Sequence, residues 1–381
     1  MKRIVLAPDL PQEQWPSMDR YALRLMEHLK EYAHEFEVVS AGPVAKLTSP
    51  SARAVSVESA MGLPGSVAEA RRYIDRYWTY GRKVKKLSGD LLHVLDHSYG
   101  HLVGSVKGAP TLVTVHDLHP VHTTSQPASS VRERVRNQML HRVLDSIRRA
   151  DGWIVSTEWL KNQLEEWLER SGNIWVVPYG VDNDLFDDDD RNERKTVRNS
   201  WGVSKEAVAV LHVGSVVPRK RFEMAIETVA LLRGRKIDAH LIQVGATLTP
   251  AQKEILRERR LDGFAKMLGP VNEMHLKQAY RGADVLMFPS SYEGFGLPVI
   301  EAMAAGLPVV NSGAGALAEV SGQGAVVVEE FEASAYADRI QQIVSDESFR
   351  ANLVQRGKKR AGDFKWEETA RLTAEVYRNL A

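Results

Sequence analysis

The sequence predicts an α/β fold built from doubly wound parallel sheets, and two observations support this class. Short apolar runs bounded by Gly, Pro, Asp or Asn recur along the chain, and stretches of helical periodicity lie between them. Continuous apolar runs are typical of parallel strands buried on both faces, which are joined by crossover helices. The alternation therefore favours parallel sheets covered by helices on both sides.

The apolar runs predict six strands in each half of the chain. In the first half the candidate strands are 2–7, 36–41, 91–96, 111–116, 152–156 and 174–178. In the second half they are 207–213, 238–244, 264–268, 285–289, 308–311 and 324–328. Helical periodicity occupies 18–32, 131–148, 158–170, 221–233, 250–260, 272–281, 298–305, 332–345, 347–360 and 366–379. Ligands of such sheets bind outside the carboxyl ends of the strands, so we expect the functional site there.

Length and composition exclude several classes of protein. The 381 residues include 50 basic and 49 acidic side chains, 44% hydrophobic residues and no cysteine. At roughly 150 residues per domain, this length predicts about two domains. A formal net charge of +1 provides no general field for nucleic acid, so no nucleic-acid partner is expected. Without cysteine, the chain has no disulfides, thiolate nucleophiles or cysteine zinc sites.

The periodicity fails near the middle of the chain, where aspartates at 187–190 are followed by an arginine-rich, polar stretch. A metal site is one interpretation of the aspartates, but adjacent like charges usually mark a solvated linker, which we prefer. The sequence therefore predicts an N-terminal domain over 1–182, a linker over 183–200 and a C-terminal domain over 201–363. A final helix is predicted within 364–381.

The segment 289–308 carries the strongest chemical signal in the chain. It predicts a strand end, a loop containing Gly294 and Gly296, and a helix with Pro298 at its start, where a missing N–H costs nothing. Both glycines let the backbone approach a ligand closely. The N–H groups of residues 295–297 and the positive end of the helix dipole would form an anion site suited to a diphosphate.

Two glutamates flank this predicted anion site. Glu293 precedes the helix, and Glu301 lies near its first turn with a side chain that tilts back toward the amino end. Carboxylates make poor phosphate ligands, but they accept hydrogen bonds from vicinal hydroxyls such as those of a ribose or a sugar. The arrangement predicts a nucleotide sugar as ligand. The alternative interpretation is that both glutamates only cap the helix.

The same residues resemble the hallmark of the retaining glycosyltransferases of family 4. The resemblance rests on the paired glutamates within 293–310, and the segments 313–320 and 177–182 resemble further parts of the family pattern. It implies the GT-B architecture, in which two Rossmann-like domains face a cleft. The first domain would then lie on the acceptor side, the second would bind the donor, and the last helix would cross back to the first.

The resemblance also implies an activity, which belongs to polysaccharide biosynthesis. A hexose, of the mannose or glucose type, would pass from a nucleotide diphosphate sugar to a hydroxyl of a glycan or lipid-linked acceptor, with retention of configuration. No cofactor and no metal are expected beyond the donor substrate itself. Two rival functions are a nucleotide-sugar epimerase of the same fold, which needs no acceptor, and a noncatalytic nucleotide-sugar-binding partner, which never turns over.

The resemblance assigns roles to residues in both halves of the chain. The catalytic residues it implies are His116, Glu293 and Lys220. The donor-binding residues it implies are Ser215, Arg219, Lys220, Gly294, Phe295, Gly296, Leu297 and Glu301. Lys220 and Arg219 would stabilise charge on the departing diphosphate. Glu293 would orient sugar hydroxyls, Glu301 would accept from the ribose, and His116 would contact the donor from the first domain.

Some of these residues have plainer interpretations. The basic run 218–221 is typical of a solvated helix entry. A histidine at a strand end, such as His116, often bonds to a neighbouring carbonyl. Together with Asp117, His119 and His122 it could also ligate a metal, but the spacing fits no standard zinc pattern.

The sequence departs from the family pattern at two places. Ser215 stands where many members have an arginine directly after the glycine. The stretch 14–20 replaces a glycine pair that usually leads from the first strand into a helix. Because that loop usually lines the donor diphosphate and the acceptor side, the acceptor is not identified by the resemblance.

The amino terminus and the basic stretches bear on location. The first apolar run ends at Pro8, too early for a signal peptide, and about 18 consecutive apolar residues occur nowhere. We therefore expect a cytoplasmic protein. Two basic amphipathic stretches, 71–86 and 131–149, are interpreted either as ordinary helices with one face in the core or as membrane-surface helices. The second interpretation would place the protein peripherally at the inner face of the cell membrane.

Overall fold

The computed structural model describes residues 1–13, 15–43, 67–119, 121, 131–182 and 191–381. These residues form two units. The first unit holds the described residues up to Gly180 together with Trp366–Ala381. The second holds the described residues of Val181–Lys365.

The first unit is built on a six-stranded parallel sheet with the order β2-β1-β3-β4-β5-β6. The strands are β1 (Lys2–Ala7), β2 (Phe36–Ser40), β3 (Leu91–Val94), β4 (Thr111–Val115), β5 (Gly152–Val155) and β6 (Ile174–Val176). The apolar side chains of Ile4, Val5 and Leu6 are fully buried, and the burial of each contributes about 1.5–3 kcal/mol to the free energy of folding.

The helices of the first unit lie in sequence between these strands, apart from one that comes from the end of the chain. They are α1 (Pro16–Tyr32), α2 (Val67–Ile74), α3 (Gly81–Val84), α4 (Val131–Ile147), α5 (Glu158–Leu168) and α14 (Trp366–Leu380). A π-helical segment, Asp75–Tyr80, joins α2 to α3. The buried face of α4 includes Val143, Leu144 and Ile147, which favours the core interpretation of that basic stretch.

The C-terminal helix α14 packs against α1 in the first unit. Arg378 donates a hydrogen bond of 3.0 Å to the carbonyl of Tyr32. Tyr377 is buried with its hydroxyl 2.7 Å from the ring of His93. The last residues of the chain therefore belong to the same core as the first strand.

The second unit is built on a six-stranded parallel sheet with the order β12-β11-β10-β7-β8-β9. The strands are β7 (Val208–Val213), β8 (Ala239–Val244), β9 (Ala265–Gly269), β10 (Val285–Phe288), β11 (Val309–Asn311) and β12 (Val326–Val327). From its other edge, this order is the 3-2-1-4-5-6 arrangement of doubly wound folds, whose topological switch point lies between the first and fourth strands. Here those strands are β7 and β10.

The second unit contains eight helices among the described residues. They are α6 (Arg191–Trp201), α7 (Phe222–Gly234), α8 (Pro250–Glu258), α9 (Glu273–Gly282), α10 (Leu297–Ala304), α11 (Leu317–Ser321), α12 (Ala333–Ser345) and α13 (Glu347–Ala361). The predicted fold class is confirmed, because all twelve predicted strands occur and each boundary differs by two residues at most. No helix in the described part of the chain is long and apolar enough to cross a membrane.

The predicted linker over 183–200 needs a correction. Residues 183–190 lie outside the described residues, but 191–200 form most of helix α6, which packs against helix α9 of the second unit. Arg194 and Arg198 place guanidinium nitrogens 2.7 and 2.8 Å from the carboxylate of Asp284. The arginine-rich stretch was predicted to be solvated, whereas its cations bind a buried carboxylate just before β10.

Candidate active site

The switch point of the second sheet brings two loops side by side. The loop after β7 leads through the turn Pro218–Lys220 into α7, and the loop after β10 leads into α10. Since β7 and β10 are paired, their carboxyl ends are adjacent. The backbone N–H of Ser291 donates to the carbonyl of Arg219 at 2.8 Å, which ties one loop to the other.

An ion pair connects the catalytic candidates of these loops. Lys220 Nζ lies 2.5 Å from Glu293 Oε1, and the two residues are only 9% and 7% exposed. Arg219 Nη1 lies 3.4 Å from the same carboxylate oxygen and donates to the carbonyl of Tyr292 at 3.2 Å. Lys220 Nζ also lies 4.9 Å from the ring centroid of Phe288. The structure therefore brings together Arg219, Lys220 and Glu293, which come from separate motifs of the sequence.

The electrostatics of this group favour its ionised form. Burial raises the pKa of the Glu293 carboxyl, but the charges of Lys220 and Arg219 outweigh burial and hold that pKa below its ordinary value. Glu293 is therefore a carboxylate, able to accept but not to donate hydrogen bonds. The net arrangement at the loop ends is two cations around one carboxylate.

Two glycines fix the backbone around Glu293. Gly315, at φ +66°, lies so close that a Cβ there would come within 2.5 Å of the carbonyl oxygen of Glu293. The next residue, Ala316, donates its N–H to that same carbonyl at 2.9 Å. Gly296, at φ +96°, precedes α10, and a Cβ there would come within 2.6 Å of Leu317. The loop before α11 thus packs against the loop that carries Glu293 and holds its backbone in place.

The amino end of α10 is the predicted anion site. Gly294, Phe295, Gly296 and Leu297 are all buried there, and α10 follows with Pro298 in its first turn. Phe295 packs edge-on against Phe364, with ring centroids 5.6 Å apart. Its aromatic ring therefore belongs to the core, and any contact with a ligand would come from its backbone.

Glu301 is buried on α10 and is held by a residue that the sequence did not reveal. The hydroxyl of Tyr280, on α9, donates to Glu301 Oε2 at 2.6 Å. This contact fixes the orientation of the carboxylate and leaves it lone pairs for further hydrogen bonds. No local pattern links a tyrosine and a glutamate that are brought together only by the packing of two helices.

The loop after β7 has a second support that the sequence did not reveal. Gln243, buried in β8, donates from Nε2 to the carbonyl of Gly214 at 2.8 Å. Gly245, at φ +114°, lies so close that a Cβ there would come within 2.9 Å of the same carbonyl oxygen. Ser215, the residue that departs from the family pattern, follows directly and is partly exposed.

His116 lies in the first unit, directly after β4, and both of its ring nitrogens are hydrogen-bonded there. Nε2 donates to the carbonyl of Leu95 at 2.8 Å, and Nδ1 accepts from the hydroxyl of Tyr179. Burial lowers the pKa of the His116 imidazole, so the ring is held neutral. The hydrogen bond to the Leu95 carbonyl is the one expected under the plainer interpretation of His116. Its contact with a sugar donor stays a prediction.

The sequence allows two metal sites as alternatives, one at the histidines after β4 and one at the aspartates at 187–190. No three His, Cys, Asp or Glu side chains among those residues are placed to hold a metal ion. Of the histidine cluster considered as ligands, His122 lies outside the described residues, as do the aspartates at 187–190.

Two protein-family models together match most of the chain. The model for glycosyltransferase family 4 matches residues 18–185, and the model for glycosyl transferases group 1 matches residues 193–360. The first range falls largely in the first unit and the second falls in the second unit. The second range contains the Lys220–Glu293 pair.

Individual proteins are similar over different shares of the chain. A D-inositol 3-phosphate glycosyltransferase of Corynebacterium glutamicum is 26% identical over 77% of this chain and 73% of its own length. Its counterpart from Geodermatophilus obscurus is 35% identical, but over 51% of this chain and 44% of its own length. The chain thus spans less than half of that second relative.

Solved structures share the fold. Anabaena HepE, in complex with UDP and glucose, superposes with a TM-score of 0.74 at 16% identity and covers 100% of both chains. The sucrose-phosphate synthase from Thermosynechococcus elongatus superposes with a TM-score of 0.72 at 22% identity, covering 100% of this chain and 99% of its own. Together with the two parallel sheets, these superpositions confirm the predicted fold class of two Rossmann-like domains.

Proposed function

Because the chain belongs to the family 4 glycosyltransferases, we propose that it is a retaining enzyme that uses a nucleotide diphosphate sugar. It transfers a hexose, of the mannose or glucose type, to a hydroxyl of a glycan or lipid-linked acceptor. The observation that carries this proposal is the buried Lys220–Glu293 pair at the switch point of the second sheet. Ligands of doubly wound sheets bind at that position.

The charges at this point suit the departure of a diphosphate. As the bond between the sugar and the diphosphate breaks, its electron pair stays with the diphosphate, whose negative charge grows. Lys220 and Arg219 are fixed by Glu293 beforehand, and preorganised cations in a buried site stabilise developing charge strongly. The amino end of α10 adds oriented N–H groups and the positive end of its dipole.

The carboxylates suit the hydroxyls of the donor. Glu293 is ionised and accepts from the hydroxyls of the transferring sugar. Glu301, oriented by Tyr280, accepts from the ribose hydroxyls of the nucleotide. In this proposal the neutral His116 of the first unit contacts the donor sugar. Retention is tested by the anomeric configuration of the product, measured by NMR.

A panel of nucleotides tests the proposal directly. We expect one base series among UDP, GDP, ADP and their sugars to raise the melting temperature of the protein, because a ligand that binds only the folded state stabilises it. The matching nucleotide sugar should then release its nucleoside diphosphate. Binding without release would favour the noncatalytic partner, and conversion of the sugar without an acceptor would favour the epimerase.

Removal of divalent metals should leave the activity unchanged. Fixed cations and a helix amino terminus take the place of a metal in this proposal, so the transfer rate in excess EDTA should equal the rate without it. The measurement is release of the nucleoside diphosphate after dialysis against the chelator. Loss of turnover that Mg²⁺ or Mn²⁺ restores would contradict the metal-free site.

We further propose that the enzyme works in the cytoplasm, in peripheral contact with the inner face of the membrane. The chain segment of α2, the π-helical turn and α3 exposes two large apolar side chains, Ile74 at 56% and Trp78 at 61%. Exposed cations accompany them, and the guanidinium of Arg82 lies 5.4 Å from the ring centroid of Trp78. Apolar side chains beside exposed cations favour anionic lipid surfaces.

Vesicle binding should depend on this segment. The wild-type protein should sediment with phosphatidylglycerol vesicles but not with phosphatidylcholine vesicles, and Trp78→Ala should reduce the sedimented fraction several-fold. Trp167→Ala, in α5 of the same unit, is the matched control, since the Trp167 ring packs against Arg148 within the protein. Equal sedimentation of wild type and Trp78→Ala would overturn the membrane contact at this segment.

A further inference from the structure

A second polar cluster lies outside the site described above, at the switch point of the first sheet. In that sheet β1 lies between β2 and β3, so the connection from β1 to β2 and the connection from β2 to β3 run in opposite directions along the sheet. Asp9 follows β1, and Asp96 follows β3. By the same rule that places the donor site in the second unit, the carboxyl ends of these strands are where the first unit binds a ligand.

Several buried polar atoms in this cluster have no hydrogen-bond partner among the described residues. Asp9 is only 5% exposed, and neither of its carboxyl oxygens is bonded. The indole Nε1 of Trp15 and the guanidinium Nε of Arg76 are also buried and unbonded. The guanidinium carbon of Arg76 lies 5.3 Å from the ring centroid of Trp15. The charge of Arg76 also acts on Asp9, so the guanidinium lies near both groups. Buried groups without partners are costly, so these atoms indicate a ligand that supplies hydrogen bonds.

The charges in the cluster are unbalanced. Asp9, Glu13 and Asp96 are three buried carboxyl groups, and Arg76 is the buried guanidinium among them. Arg76 is already engaged, because Nη1 lies 3.3 Å from Glu13 Oε1 and Nη2 donates to the carbonyl of Ser98 at 2.7 Å. The imidazole of His97 also lies beside this cluster, 3.6 Å from Asp96. The acids still outnumber the cations.

This excess of carboxyl groups bears on the kind of ligand that the cluster can bind. Burial and the charge of Asp96 raise the pKa of Asp9, Arg76 opposes them, and Asp19 and Glu13 raise it further. Burial raises the pKa of Asp19, at the start of α1, to about 7. A neutral carboxylic acid both donates and accepts hydrogen bonds, which matches a hydroxyl group. A phosphate brought to the same place would meet an excess of negative charge.

We propose that Asp9, Trp15 and Arg76 bind the acceptor, and that the bound part of the acceptor is an uncharged polyhydroxylated ring rather than a phosphate ester. The inference rests on the proposed function, which requires a hydroxyl-bearing substrate besides the donor. It also gives a role to the stretch where the chain departs from its family, because Trp15 lies in that stretch, directly before α1. Asp9 and Trp15 act as binding residues and do not take part in bond making.

Matched pairs of small acceptors test the chemical class. Release of nucleoside diphosphate is measured with myo-inositol against inositol 3-phosphate, and with methyl α-mannoside against mannose 6-phosphate. We expect a neutral member to be used with a kcat/KM about tenfold or more above that of its phosphorylated partner. A phosphorylated member used equally well or better would overturn the inference, as would donor hydrolysis that no member accelerates. Absence of any donor turnover would instead overturn the proposed function on which the inference rests.

Two variants test the residues. Asp9→Asn and Trp15→Phe should each raise the ratio of acceptor KM to donor KM about tenfold, since each removes one hydrogen-bonding group from the acceptor site. Asp145→Asn, an exposed carboxylate on α4, is the matched control and should leave both KM values unchanged. Asp9→Asn should not lower the melting temperature, because an unbonded buried carboxyl is itself destabilising. An unchanged KM ratio in Trp15→Phe and in folded Asp9→Asn would overturn the assignment.

Discussion

Lys220→Met should lower the kcat of transfer by about 10²–10³-fold, the usual loss when one preorganised donor to a developing charge is removed. The variant should also lose stability. Among the described residues, Glu293 would then keep only Arg219, 3.4 Å away, as an ion-pair partner in its buried position. Breaking a buried pair on one side costs about 3–5 kcal/mol. Transfer rates and the free energy of unfolding measure the two effects separately.

A double variant separates catalysis from folding. Lys220→Met combined with Glu293→Gln removes both members of the ion pair, so no uncompensated buried charge remains. We expect the double variant to regain most of the lost stability and none of the activity. Lys253→Ala, an exposed lysine of α8, is the control and should behave as the wild type in both measurements. A transfer rate in Lys220→Met within about threefold of the wild type would contradict a role in leaving-group stabilisation.

Gly315→Ala should damage the site through the backbone. The Cβ of the new alanine would lie within 2.5 Å of the Glu293 carbonyl oxygen, so the loop that carries Glu293 must shift. We expect kcat to fall by about 10²-fold, the order of loss expected when a reacting group moves by an ångström. Because the positive φ of Gly315 also disfavours alanine, stability should fall as well.

A second glycine provides the control for strain. Gly202 has a similar φ of +73°, belongs to the same unit, and has open space where a Cβ would lie. Gly202→Ala should therefore lose stability through its positive φ, but it should displace no neighbouring backbone and should leave kcat unchanged. Gly315→Ala should be less stable than Gly202→Ala by about 1–3 kcal/mol, the usual cost of overpacking. Equal stability and equal kcat in the two variants would show that the contact with Glu293 is not tight.

The strands could be predicted from the sequence because parallel strands are buried on both faces and leave continuous apolar runs. Helix α6 could not, because its arginines resemble those of a solvated segment. Only the folded sheet places Asp284 beside Arg194 and Arg198. Charge patterns along a chain do not reveal which carboxylate lies nearby in space.

The candidate site was predictable in part for the same reason. Lys220 and Glu293 each lie in a motif with local signals, but their 2.5 Å contact joins loops that are far apart in sequence. Tyr280 and Gln243 lie in no motif, and their roles come from hydrogen bonds between packed elements. The buried acid Asp9 likewise gave no signal, since a single aspartate after an apolar run is common at strand ends.

Release of nucleoside diphosphate from the nucleotide sugar whose base stabilises the protein tests the central claim most directly. The wild-type protein should release it, at a higher rate when a hydroxyl acceptor is present, and the Lys220→Met, Glu293→Gln double variant should fold but not release it. Absence of release by the folded wild type with all UDP, GDP and ADP sugars, or equal release by the double variant, would contradict the assignment of the transfer site to this pair.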